Sequence, residues 1–164
     1  APYLIATTDL PLECVLGALL QHQNKTIATA ESCTGGKLAA LLSKHSGSSA
    51  FYKGSVISYA NSVKRDILGV SDEILNIHGA VSEETVVVMA NSVRKQLVAD
   101  YGIAISGIAG PTGGTPDKPV GTVWMAWATP TQTIAECVQL GKLREQITDR
   151  ACQKAMIKLI QLLR

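Results

Sequence analysis

Apolar positions recur along this chain in two alternating periods, one helical and one extended. Leu12, Val15, Leu16 and Leu19 fall on a single stripe at helical spacing, with Pro11 in the first turn and Asp9 placed to cap it. Ile27-Ala28 begins a short strand pattern. The helical period returns at Leu38, Leu41, Leu42 and His45 and is ended by Gly47-Ser48-Ser49. Residues 54–59 alternate as a strand, after which Asn61 can cap a short helix over 62–68 that stops at Gly69. The longest helical pattern is expected over 82–98. Ser82 is its natural N-cap, Glu83 and Glu84 suit its positive end, and Arg94 and Lys95 suit its negative one. Its buried stripe is Val86, Met89, Ala90, Val93 and Leu97, with the methionine as core filling. Residues 103–106 and 120–128 are apolar enough for central strands, 133–140 is a further strand, and a final helix carries Ile147, Ala151, Ala155, Leu159 and Leu162. Such alternation predicts an α/β fold, a three-layer α/β/α sandwich with a mostly parallel or mixed central sheet. The adjacent strands of the second half can pair antiparallel, which favours the mixed sheet.

Composition narrows the classes of function. A chain of 164 residues is expected to form one domain over 1–164 with a core large enough to fold without staples. A net charge of +2, with Lys and Arg scattered, gives no surface for nucleic acid. Cys14, Cys33, Cys137 and Cys152 show no paired short spacing, and His22, His45 and His78 lie far apart, so a metal site is not expected. Reduced thiols, the lack of a membrane-length apolar run and the lack of a leader pattern together predict a cytoplasmic protein with no membrane partner.

The chemistry concentrates at one junction. Thr29-Ala30-Glu31-Ser32-Cys33-Thr34-Gly35-Gly36 lies between a strand pattern and a helix pattern beginning near Lys37. A strand feeding a helix start projects side chains beside unpaired backbone N–H groups, which favour a developing oxyanion. Ser32 is the leading nucleophile candidate, although serine at such a place also serves as a cap. Cys33 is its rival, without a sequence-local histidine to activate it. The second junction, Ser106-Gly107-Ile108-Ala109-Gly110-Pro111-Thr112-Gly113-Gly114, can bring backbone amides and hydroxyls close to a ligand. It continues through Pro116 and Pro119 into a strand rather than a helix, which rejects both the P-loop and the dinucleotide fingerprint. Spacing alone leaves a ligand role and a plain turn equally open.

These stretches, together with Gly47-Ser48-Ser49, Tyr59-Ala60-Asn61-Ser62-Val63-Lys64, His78-Gly79-Ala80-Val81-Ser82 and Lys118-Pro119-Val120-Gly121-Thr122-Val123-Trp124, resemble the C-terminal domain of the competence/damage-inducible CinA proteins. The resemblance covers most of residues 27–128, in order. It implies kinship with the stand-alone nicotinamide mononucleotide amidohydrolases of that group, whose single domain this length fits. The implied reaction is hydrolysis of the carboxamide of nicotinamide mononucleotide to nicotinate mononucleotide and ammonia in pyridine-nucleotide salvage, without metal or redox cofactor, by a homodimer. An alternative within the family is a non-catalytic nucleotide-sensing or interaction module tied to competence and DNA repair.

The resemblance places the family's serine, tyrosine and lysine on Ser32, Tyr59 and Lys64. Amide hydrolysis needs a nucleophile, a base for it, an acid for departing ammonia and oxyanion donors. Ser32 would attack or hold the attacking water, a neutral Lys64 would take its proton, and Tyr59 would relay it or protonate the leaving nitrogen. Taken alone, Lys64 reads better as an ordinary solvated helix lysine, and Tyr59 can be a strand aromatic that fills the core. Cys33, Thr34 and Gly35 would surround the substrate, the N–H groups near Thr34 and Gly35 forming the oxyanion pocket. Ser106, Gly107, Gly110 and Thr112 would line it, and Ser48 and Arg144 would bind ribose or phosphate. His78 is expected to order the loop before Ser82. The family's Gly-Asp-Arg is here Gly141-Lys142-Leu143-Arg144, one residue longer and without the acid.

Overall fold

A computed structural model describes residues 9–164. In it β1 (Ile27–Glu31), β2 (Tyr52–Ile57), β3 (Tyr101–Gly107), β4 (Thr122–Ala128) and β5 (Thr133–Gln139) form one sheet in the order β2-β1-β3-β4-β5. β1 pairs parallel with β2 and β3, whereas β3–β4 and β4–β5 are antiparallel, so the sheet is mixed. The change of direction follows the type of connection. The first three strands are joined by helical crossovers, whereas β4 follows β3 through a helix-free loop over 108–121 and β5 follows β4 through a short turn over 129–132, and both bring the chain back antiparallel.

Helices cover both faces. On one side lie α1 (Leu12–His22), α2 (Lys37–Leu42) and α6 (Arg144–Leu163), packed on Ile27, Ile103, Ile105, Met125 and Trp127. Trp127 is fully buried and donates its indole N–H to the Ala155 carbonyl at 3.0 Å, which satisfies the one polar atom that packing β4 against α6 would strand. On the other side α5 (Glu83–Gln96) lays Val86, Met89, Ala90 and Val93 over a row of small residues, Ala28, Ala30, Ala104, Ala126 and Ala128. The small row lets α5 approach closely; a Cβ on Gly102 would strike the Ala90 carbonyl. Two short helices, α3 (Asn61–Asp66) and α4 (Asp72–Ile77), complete this layer, and Leu68 and Val70 between them are buried.

Several expected boundaries shift. α6, at 20 residues, is longer than α5, at 14, because its apolar stripe continues through Leu163. α1 starts behind Pro11 with no side-chain cap, so Asp9 does not cap it. α3 begins at Asn61 itself with Ala60 as N-cap, so the asparagine is not the cap either. The second strand runs over 52–57 rather than 54–59, which puts Tyr59 beyond the sheet on a corner. Ser82 does cap α5, its Oγ accepting the Thr85 N–H at 3.3 Å. α4 and a single 3-10 turn, Ser48–Ala50, have no counterpart in the apolar periodicity, since neither is long enough to show one.

Candidate functional site

All three parallel strands end at the same edge of the sheet, and their carboxyl ends are where open α/β sheets hold ligands. There β1 delivers Ser32 and Cys33, the segment after β2 delivers Tyr59, and the loop after β3 delivers Gly107 through Gly113; together with Arg144, the first residue of α6, they line a cleft of about 280 Å³.

The Ser32 turn is made by two successive glycines. Gly35 and Gly36 have φ of 56° and 103°, a left-handed path that residues with a Cβ rarely follow, and Gly35 has open space around it, so conformation rather than crowding requires glycine there. The turn closes through Gly35 N–H to Ser32 O at 3.0 Å and Lys37 N–H to Thr34 O at 2.9 Å. Gly35 N–H is thereby consumed within the turn, so the oxyanion pocket expected from Thr34 and Gly35 is corrected: among the described residues the N–H groups of Cys33, Thr34 and Gly36 have no backbone acceptor, and Cys33 and Thr34 directly follow Ser32.

Beneath the turn lies Lys64. Its side chain is 1% exposed, so it is not the solvated helix lysine that its sequence position also allows. Its Nζ stands 3.0 Å from Ser32 Oγ, 2.7 Å from the Ser58 carbonyl and 3.4 Å from the Tyr59 carbonyl. It joins no ion pair among the described residues. Burial lowers its pKa from the ordinary lysine value, against a smaller opposing influence from Cys33. Nζ has three N–H acceptors around it, Ser32 Oγ and the two carbonyls; when the amine is neutral, its two N–H bonds go to the carbonyls and its lone pair faces the Ser32 hydroxyl.

Tyr59 is 60% exposed and fills no core. Its phenol oxygen accepts a bond from Arg144 at 2.8 Å, and a second guanidinium N–H of Arg144 reaches the Gly110 carbonyl at 2.8 Å. Arg144 thus spans the cleft mouth despite the altered sequence around it. The contact between Tyr59 and Lys64 runs through the Tyr59 carbonyl, not through the phenol.

The other expected residues divide. Gly107, Gly110 and Thr112 line the cleft. Ser106 is buried behind it with its hydroxyl on the Ala80 carbonyl at 2.8 Å, a structural tie. Ser48 belongs to a separate cavity with Glu13, Cys14, His45 and Phe51, so within one chain it is not brought to Ser32. Cys33 is at the cleft, but burial pushes its thiol up to about 11, which removes the thiolate a nucleophile needs at neutral pH. His78 orders its loop as expected: its carbonyl accepts Lys118 Nζ at 2.7 Å and its ring faces Glu84 at 3.4 Å. Sequence reasoning missed Ser58, whose contribution is a backbone carbonyl, and Glu31, whose place one residue before Ser32 was the available signal. Among the described residues no cluster of His, Cys, Asp and Glu is placed to hold a metal ion, and no helix is long and apolar enough to cross a membrane.

Comparison with known proteins identifies the family and the fold. The profile of the CinA C-terminal domain matches residues 9–163. A CinA-like protein of Cytophaga hutchinsonii is 55% identical over 134 residues, covering 82% of this chain and 32% of that protein. One from Salinibacter ruber is 54% identical over 125 residues, covering 76% and 30%. The chain therefore spans about a third of the length of these curated relatives. Among solved structures, competence damage-inducible protein A of Klebsiella pneumoniae superposes with a TM-score of 0.90 at 37% identity, covering 93% of this chain and 94% of that one. The competence/damage inducible protein CihA of Agrobacterium tumefaciens does so with a TM-score of 0.88 at 33% identity, covering 97% and 100%. With its family profile running from the first described residues into the last helix, this chain belongs to the CinA C-terminal domain family.

Proposed function

We propose that this domain hydrolyses the carboxamide of nicotinamide mononucleotide to nicotinate mononucleotide and ammonia. The observation that carries the reading is a buried lysine without an acidic partner among the described residues, its Nζ 3.0 Å from the hydroxyl of a serine on the cleft wall. A solvated lysine–serine contact would do nothing at neutral pH, because the ammonium has no lone pair. A desolvated one has a base in place.

Neutral Lys64 removes the Ser32 proton as Oγ attacks the carboxamide carbon, and the resulting oxyanion is met by the Cys33 and Thr34 N–H groups. The ammonium of Lys64 then returns a proton to the departing nitrogen, so ammonia leaves as the C–N bond breaks and an acyl-Ser32 ester remains. Water, deprotonated by the same amine, cleaves that ester, releases the acid and restores the serine. Tyr59 and Arg144 act at the mouth. The guanidinium supplies the cation a nucleotide phosphate requires, and the exposed phenol offers a ring face and a hydroxyl to the substrate.

The test is ammonia release from nicotinamide mononucleotide by the purified protein without added metal, with Ser32→Ala as control. Turnover that disappears in the control supports the reading. A folded wild-type protein that binds the nucleotide and releases no ammonia contradicts it, and points instead to a sensing module.

A further inference from the structure

Glu31 is the last residue of β1, fully buried, and bears a carboxylate in no ion pair among the described residues. Burying such a group is costly unless hydrogen bonds satisfy it, and a turn that served the fold alone would be more cheaply capped by serine or asparagine. Here the bonds exist and their pattern is specific. One carboxylate oxygen accepts the Thr34 hydroxyl at 2.7 Å and the Leu38 N–H at 3.0 Å; the other accepts the Ala39 N–H at 2.9 Å and lies 3.5 Å from Ser55 Oγ. The N-cap of α2, Gly36, has no side chain to offer, so Glu31 satisfies the helix start from the far side of the turn.

Its backbone reaches the other half of the dyad. The Glu31 carbonyl accepts the Ser58 N–H at 2.7 Å and the Ser58 hydroxyl at 3.3 Å, and the Ser58 carbonyl in turn holds Lys64 Nζ at 2.7 Å. One residue therefore sets the position of both reacting groups: through its side chain the turn that carries Ser32, and through its carbonyl the anchor that carries Lys64.

We infer that Glu31 is a positioning residue that closes the 32–36 turn into a ring, fixing Ser32 Oγ against Lys64 and holding the Cys33 and Thr34 N–H groups free for the oxyanion. This rests on Ser32 being the nucleophile, and its test is chosen not to depend on the substrate. Glu31→Gln keeps the shape but replaces one accepting oxygen with a donor facing backbone N–H groups, so it strains the ring without emptying the space.

The measurement is the rate at which Ser32 is labelled by a fluorophosphonate, forming an O–P bond with loss of fluoride, read by intact mass alongside thermal melting. Thr34→Val, which removes one donor, and Thr34→Ser, which keeps it, are measured in parallel. The expected result is labelling at least about 100-fold slower in Glu31→Gln and about tenfold slower in Thr34→Val, with Thr34→Ser near the wild-type rate and KM for the nucleotide within about threefold throughout. A folded Glu31→Gln protein that labels at the wild-type rate overturns the inference. If that variant does not fold, Thr34→Val labelling at the wild-type rate overturns it instead. Wild-type labelling at Ser32 without turnover of nicotinamide mononucleotide overturns the substrate reading and leaves the ratio of labelling rates to decide on Glu31; a wild-type protein that is not labelled at Ser32 overturns both.

Discussion

Lys37 and Lys64 both sit beside the Ser32 turn, and they are opposite in kind. Lys37, at the start of α2, is 35% exposed, pairs with Asp149 at 2.6 Å and touches Thr148 at 3.1 Å; the hydrogen bond to Asp149 raises its pKa. Lys64, in α3, has only neutral hydrogen-bond partners among the described residues and burial lowers its pKa. A lysine becomes a base by what is withheld from it: water and a counter-ion. The domain tolerates a costly buried amine at one place and an ordinary surface pair at the other, a few residues of wall apart.

The sharpest way to break this contrast is to remove the buried amine. Lys64→Ala is expected to lower kcat by about 10³-fold or more in an ammonia-release assay, since general base catalysis is lost. Lys64→Met should share that loss; it removes the desolvated amine but also leaves the Ser58 and Tyr59 carbonyls without their donor, so its value is as a reference without a titrating group at this site. The pH dependence has a definite sign. The folded pKa of Lys64 is depressed, so the native state carries a penalty wherever the amine is protonated in both states. Wild-type stability should therefore gain with rising pH from the folded pKa up to the ordinary lysine value, and the methionine variant should lack that gain in urea titrations.

Arg144 comes next in size. Arg144→Ala should raise KM for the nucleotide about tenfold or more with kcat changed less, because a charge-assisted contact at the mouth is lost while the dyad is untouched. Equal loss in kcat alone would place Arg144 in the chemical step. Cys33→Ala should retain most activity, since the thiol, held up to about 11, is not the attacking group. The smallest effect belongs to the other lysine. Lys37→Ala gives up a partly exposed ion pair, and chemical denaturation should register less than about 1 kcal/mol with turnover unchanged.

The sequence showed where to look more clearly than how the parts meet. The Ser32 turn was legible because two glycines and a run of hydroxyls between a strand and a helix have few other uses. The helices α1, α5 and α6 were legible from their apolar stripes. The burial of Lys64 was not, since a lysine in a short helix has a polar neighbour on every side in sequence; only the corner after β2 turns it beneath Ser32. Arg144 was obscured by the extra residue before it, and the start of α6 restores it to the cleft. Glu31 sat in plain view, yet a carboxylate in a strand of otherwise small and apolar residues reveals its purpose only when its four donors are known. Ser48 went the other way: its loop looked like part of the site, and the short 3-10 turn that carries it opens on a different cavity.

The central claim is that Lys64 works as a neutral amine, and the pH profile of kcat/KM for ammonia release tests it most directly, with wild type and Lys64→Arg measured together. The wild-type rate should climb with pH to a plateau reached below the ordinary lysine pKa, and the arginine variant should be inactive throughout, because guanidinium cannot give up its proton in this range. An active arginine variant with the wild-type profile would show that position 64 supplies only positive charge and that the base lies elsewhere.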